Sequence, residues 1–268
     1  MALVLSTGLH TQGSMMLSRL RALFGSTPPV ASGPDGCCVY AIGDIHGERR
    51  LLDRAREAIR ADAAGQSAVV VFLGDYIDRG PDSRGVLDCL SEPDPLLDGV
   101  TRRYLLGNHE QALLDFLDDP EATAAWLDFG GIETLISYGV PAHGQPNPTR
   151  RRQWRDQLDT ALPDRHRAFL SSLETMVTLG DYAFVHAGVR PGVAMDQQSR
   201  DDLLWIREPF LSSTRWHGRR VVHGHTVTLQ PDVRDNRIGI DTGAYASGRL
   251  TVLVIEGPTI RFLDTVFD

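Results

Sequence analysis

The chain of 268 residues contains no lysine; all 27 basic residues are arginine. A P-loop nucleotide hydrolase needs its Walker lysine, and a protein kinase needs the strand lysine that pairs with ATP phosphates, so neither class fits. An enzyme that forms a Schiff base on a side-chain amine is excluded as well. Any phosphate gripped here is gripped by arginine, by backbone N–H groups or by metal. Cysteine is scarce: Cys37, Cys38 and Cys89 are the only three, and two are adjacent. That set makes neither a disulfide framework nor a zinc site, and it suits a reducing, cytoplasmic setting. No apolar run approaches the roughly 20 residues of a membrane-spanning helix, so no membrane span is expected. A net charge of −8 argues against nucleic acid as a partner, because its binders present a basic face. What remains is an ordinary globular composition, 42% hydrophobic and 23% charged, with a length that suits one large domain or two small ones.

Residues 1–14 differ in character from the rest of the chain and read as a leader. From Met16 onward Leu17, Leu20, Leu23 and Phe24 share a helical face with Arg19 and Arg21 opposite, which predicts a short amphipathic helix over 16–24. Residues 25–36 are rich in Gly, Pro and Ser and read as a linker, so the domain proper is expected over 37–268. Three strand–loop–helix units open it. Strands are expected at 38–42, 68–73 and 100–106, each ending at a glycine, with helices over 48–62 and after Pro81. This repeated order predicts an α/β core with parallel pairing. Residues 110–173 show helical periodicity instead (112–117, 122–129, 132–138, 150–162, 165–173) and read as a helical insertion or cap. Strands return at 176–179, 183–185, 220–222, 238–240, 250–255 and 259–263, with antiparallel hairpins among them.

Ligands of α/β sheets gather at the carboxyl ends of strands, and there the chain concentrates its polar residues. The loops are Gly43-Asp44-Ile45-His46-Gly47, Gly74-Asp75-Tyr76-Ile77-Asp78-Arg79-Gly80 and Gly107-Asn108-His109-Glu110. Two later loops add His186 and, between His223 and His225, one more histidine. Asp, His and Asn without Cys form an oxygen-and-nitrogen ligand set that suits manganese, iron or zinc better than a thiolate site would.

GDIHG, GDYIDRG, GNHE, VHAG and GHT, in that order, resemble the signature of the PPP-type (calcineurin-like) metallophosphoesterases, and Trp205–Phe210 with Asp241-Thr242-Gly243 is similar to the bacterial serine/threonine phosphatase branch. The chain departs from eukaryotic members in lacking SAPNYC and in having Leu106 where they carry arginine. The resemblance implies a four-layer α/β/β/α sandwich of two mixed sheets flanked by helices, with a central helical insertion. It implies two divalent metals per chain, manganese first, with iron, zinc, nickel or cobalt as alternatives. Asp44 and His46 would hold one, Asp75 would bridge, and Asn108, His186 and His225 would hold the other. It further implies in-line attack by a bridging hydroxide, His109 as the acid for the leaving oxygen, Asp78 as its orienter, and Arg79 and Arg207 as phosphate clamps, with Asn108 and His109 also touching substrate.

The GHT pattern selects His225 over His223. Val227 stands where nuclease-like relatives carry a further histidine, which argues against a nuclease. Arg207 has a plainer reading as a surface ion-pair partner, and Glu110 and Asp241 read as supporting residues. His10, His143, His166 and His217 match no motif and are expected at the surface, and Arg150-Arg151-Arg152 with Trp154 and Arg155 as a solvated helix face. The expected function is a metal-dependent phosphatase of phosphoserine and phosphothreonine in proteins, acting as a monomer on a phosphoprotein or phosphopeptide. Symmetrical dinucleoside-tetraphosphate hydrolysis, a phosphotyrosine preference and a non-catalytic scaffold are the alternatives.

Overall fold

The computed structural model describes residues 30–263 and Thr265. The leader and the helix expected over 16–24 lie outside the described residues. From Ala31 onward the strands form two five-stranded mixed sheets. The first contains β1 (Cys38–Ile42), β2 (Ala68–Phe72), β3 (Thr101–Tyr104), β9 (Val252–Glu256) and β10 (Thr259–Leu263), in the order β10-β9-β1-β2-β3. The second contains β4 (Met176–Leu179), β5 (Tyr182–Val185), β6 (Arg220–His223), β7 (Asp232–Val233) and β8 (Arg237–Gly239), in the order β4-β5-β6-β8-β7. The strands β1, β2 and β3 run parallel, as do β5, β6 and β8, and antiparallel strands flank both sets.

Alternation along β1 shows how the layers are made, because successive side chains of a strand point to opposite faces. Val39 and Ala41 enter a core with Val71, Leu73, Phe184, Val222, Ile238 and Leu253, which is the space between the sheets. Cys38, Tyr40 and Ile42 face the other way, into a core shared with helices. Those helices are α1 (Arg49–Ala63), α2 (Ser83–Leu90), α3 (Asn108–Asp118), α4 (Gly131–Ser137), α5 (Pro148–Ala161) and α6 (Asp164–Ser171). A smaller core on the outer face of the second sheet takes Leu203 of α7 (Arg200–Trp205) together with Ile206 and Phe210. These are the four layers of a metallophosphoesterase fold, two mixed sheets flanked by helices. No helix among the described residues is long and apolar enough to cross a membrane.

Local chemistry sets the helix ends. The Asp82 carboxylate caps α2 by accepting from Gly85 N at 2.8 Å, and Asn147 caps α5 ahead of Pro148 by accepting from Arg150 N at 3.0 Å, since the first turn of a helix leaves its N–H groups unsatisfied. In α1, Leu51, Leu52, Ala55 and Ile59 are buried along one face, as expected for a 3.6-residue period.

Several expectations are corrected. Residues 31–36 are no free linker: Ala31 is buried, Gly33 N donates to Gly257 O at 2.7 Å, and Asp181 N donates to Ser32 O at 2.8 Å, so this segment is tied to both sheets. The third strand is shorter than expected, ending at Tyr104, although Leu105 N still donates to Phe72 O at 2.9 Å and Leu105 bridges to Glu174. Residues 124–129 form a 3₁₀ helix. His166 is wholly buried, not on the surface, with Nδ1 2.7 Å from the Tyr138 hydroxyl and Nε2 3.0 Å from Asp88. Trp154 is also buried, and Arg151 and Arg152 pair with Glu121.

The space between the sheets should be the most sensitive to truncation. Leu253→Ala is expected to lower unfolding free energy by about 3 kcal/mol. Leu229→Ala, at a side chain 96% exposed, should stay within about 0.5 kcal/mol. Urea unfolding reads both, and equal losses would contradict the layering.

Candidate metal centre

Loops that leave the parallel strands carry almost every polar residue of interest, and their backbone is strained. Six non-glycine residues among those described have positive φ; five of them, His46, Asp75, Asp78, Arg79 and His225, lie in these loops. Such conformations cost about 1–3 kcal/mol each and persist only where the surroundings impose them. Glu110 is the chief restraint. Its buried carboxylate accepts from the backbone N–H of Asp75 (2.9 Å), Tyr76 (2.7 Å), Ile77 (3.3 Å) and Gly107 (3.0 Å). One side chain thus fixes the loop after β2 to the start of α3. Burial and then the Asp75 charge push the Glu110 carboxyl up, to about 8, against those donors. Two glycines make room for acids: a Cβ on Gly107 would lie 2.1 Å from Asp75 Oδ1, and one on Gly224 would lie 1.9 Å from Asp44 Oδ1.

The side chains converge on Asp75. Its Oδ2 faces His46 Nε2 at 3.6 Å, and its Oδ1 faces His186 Nε2 at 3.4 Å. Asn108 Oδ1 lies 2.8 Å from both His186 Nε2 and His225 Nδ1. Two groups could hold a metal ion, with their atoms within 4.8 Å of one another: His46, Asp75 and His109, and Asp75, His186 and His225. Asp75 belongs to both, as a bridging carboxylate must. Asp44 stands outside the first group, where His109 takes its place. Its Oδ2 accepts from His225 N at 2.9 Å, and its Oδ1 has no partner.

The ring orientations test whether cations fit. His46 Nδ1 is 2.8 Å from Ile77 O, and His186 Nδ1 is 2.9 Å from Leu73 O. A carbonyl only accepts, so both Nδ1 atoms carry hydrogen and both Nε2 atoms present bare lone pairs. Those lone pairs point at oxygens of Asp75 and Asn108, acceptor against acceptor, which a shared cation would reconcile. Buried atoms without partners mark the same place: Asp44 Oδ1, His46 Nε2, His225 Nε2 and Asp241 Oδ2. Burial lowers the basicity of His46 and His225, each to about 3, keeping the rings neutral and able to ligate. Burial, Asp241 and Asp75 together hold the Asp44 carboxyl well above its ordinary value. The donor set fits divalent metal.

Beside these groups stands a dyad. His109 Nδ1 is 2.6 Å from Asp78 Oδ2, and His109 Nε2 is 3.1 Å from Arg79 Nη2. Arg79 also lies over the Tyr245 ring, 4.9 Å from its centroid. His223, the competitor of His225, turns away against Phe210 and Arg237. Arg207 stays exposed at the rim, near enough that its charge helps lower His186 and His225. Sequence reasoning passed over Tyr245, Trp126 and Thr134. Tyr245 follows Asp241-Thr242-Gly243 closely enough to have been suspected, whereas nothing local signals the other two.

A model of the calcineurin-like phosphoesterase family matches residues 39–233. The chain is similar to serine/threonine-protein phosphatase 1 of Salmonella typhimurium, 39% identical over 227 residues, covering 81% of this chain and 92% of the relative. It is also similar to the symmetrical bis(5'-nucleosyl)-tetraphosphatase of Janthinobacterium sp., at 26% identity over 274 residues, 82% of this chain and 93% of the relative. A solved structure described as a candidate diadenosine tetraphosphatase shares the fold, with a TM-score of 0.60 at 23% identity over 86% of this chain and 95% of that one.

If cations reconcile the facing acceptors, they should also stabilise the fold. Adding manganese to chelator-treated protein at about a thousand times its Kd is expected to raise unfolding free energy by about 4 kcal/mol for each site filled. Asp75→Asn should remove most of that gain and most of the bound metal, whereas His223→Gln should change neither. Thermal unfolding and elemental analysis read these outcomes.

Proposed function

The chain belongs to the calcineurin-like phosphoesterase family and is a metallophosphoesterase, and we propose that its substrates are phosphoserine and phosphothreonine in proteins. The observation that carries hydrolysis is the His109–Asp78 dyad standing directly beside two groups of metal-ligating side chains. The higher identity to a protein phosphatase than to a tetraphosphatase supports the substrate class. Catalysis is assigned to residues 37–268, with 110–173 as the helical cap. Free Cys37, Cys38 and Cys89 support a cytoplasmic setting.

Asp44, His46, Asp75, Asn108, His186 and His225 would hold two divalent ions, manganese first. When bound, such ions polarise phosphoryl oxygens and make water a competent nucleophile near neutral pH. The chain's own residues supply the rest. The Arg79 fork binds non-bridging phosphate oxygens, and Arg207 at the rim receives the same charge. His109 carries the proton to the leaving oxygen at Nε2, while Asp78 fixes the ring through Nδ1. In the structure, Arg79 donates toward that same Nε2. A guanidinium there and a proton there exclude each other, so Arg79 must turn to phosphate before the acid is loaded.

Side-by-side rates on a phosphopeptide panel and on diadenosine tetraphosphate test the substrate class. Faster hydrolysis of the dinucleotide by about 100-fold, equivalent to roughly 2.7 kcal/mol of transition-state preference, would reverse the assignment. The pH profile tests the dyad. Burial lowers the His109 pKa, but the Asp75 charge and the hydrogen bond to Asp78 outweigh it and raise the value above 6.5. The acid form is therefore present below that raised value and lost as pH climbs through it. Turnover should fall on the alkaline side, and Asp78→Asn should move that limb to lower pH.

A further inference from the structure

We propose that Trp126 and Thr134, both from the helical segment between β3 and β4, are positioning residues for the proton donor. The inference rests on the reading of His109 as the acid. The Asp78 carboxylate is completely buried and receives three side-chain donors. Thr134 Oγ1 donates to Oδ1 at 2.6 Å, and Trp126 Nε1 donates to Oδ2 at 2.8 Å, beside the His109 Nδ1 contact at 2.6 Å. An indole N–H can only donate, so it requires Oδ2 to be an acceptor, and the neighbouring Nδ1 must then carry hydrogen. That fixes the tautomer and leaves Nε2 turned toward the reacting side of the site.

The same segment also holds the backbone of that loop. Thr134 Oγ1 accepts from Asp78 N at 3.0 Å and lies 2.9 Å from Ser83 Oγ, and Gly130 O accepts from Arg79 N at 3.3 Å. Asp78 and Arg79 both have positive φ, so they need this outside support. Trp126 is itself locked. Its ring lies 4.8 Å from that of Phe116, and a Cβ on Gly131 would come within 2.6 Å of the indole. The helical segment therefore acts on the chemistry through two hydrogen bonds to one carboxylate.

Thr134→Val removes one donor at nearly constant volume, Trp126→Phe removes the other together with part of a buried ring, and Thr134→Ser restores the hydroxyl. Two aryl esters separate acid catalysis from general damage: phenolate, with a pKa of about 10 like tyrosine, needs the proton, whereas p-nitrophenolate leaves without one. With manganese-loaded full chain, the first two variants should lose about tenfold in kcat on phenyl phosphate at unchanged KM, lose less than about twofold on p-nitrophenyl phosphate, and hold as much metal as the parent. Thr134→Ser should keep the parental ratio. In chain loaded with diamagnetic zinc in place of manganese, the downfield proton resonance of the His109 Nδ1–H should be lost or shifted in T134V and W126F but not in T134S. Equal losses on both esters, no loss on either, or an unchanged resonance overturns the proposal. A parent chain that cleaves neither ester counts against the phosphatase reading, and the resonance alone then decides this one.

Discussion

Five carboxyls, those of Asp44, Asp75, Asp78, Glu110 and Asp241, are buried where the strand loops meet, and the rest of the site is arranged around that charge. Removing an ionised carboxylate from water costs several kcal/mol unless it is paired and hydrogen-bonded. Two of the five collect several donors from the protein. Glu110 collects four backbone N–H groups. Asp78 collects Trp126, Thr134 and His109. Asp75 accepts from His109 N at 3.1 Å, but its oxygens otherwise face the bare ring nitrogens of His46 and His186. Asp44 and Asp241 have no such set of donors. Each keeps a bare oxygen, and burial pushes the Asp241 carboxyl up to about 6. The bare oxygens of Asp44 and Asp241 and the lone pairs facing Asp75 are what a cation would compensate.

Much of this was legible in the sequence because it is local. A strand that stops at a glycine and runs into Asp, His or Asn announces a ligand at its carboxyl end, and Asp44, His46, Asp75, Asn108, His186 and His225 all reach one place. The choice of His225 over His223 was legible too: residues two apart in extended chain differ only in what receives them, and the motif resolved it. What was not legible is long-range. His166 reads as a surface residue on a short polar helix, and only its meeting with Tyr138 and Asp88 buries it. Trp126 and Thr134 read as periodic helix residues, and their donors matter only because the chain folds back 48 and 56 positions onto Asp78. Residues 31–36 have a linker's composition, yet they bond to the ends of both sheets. Composition reports flexibility only when nothing nearby offers a partner.

The absence of lysine bears on one atom pair in particular. Arg79 makes two contacts at once, its fork toward His109 Nε2 and its face over Tyr245. A planar guanidinium can do both, because its in-plane N–H groups donate while its face stacks. An ammonium has no face to stack and spreads its three donors about a single point. On the proposed function the side chain at this position would also yield Nε2 when phosphate arrives, yet remain beside it. Held beside Tyr245, with Cζ 4.9 Å from the ring centroid, the fork would turn its donors from ring nitrogen to phosphate oxygen without leaving the site. On that reading a lysine-free chain would sacrifice nothing here: the charge of an ammonium would be small beside that of the proposed divalent cations, and the directed donors are what the proposed dyad would use.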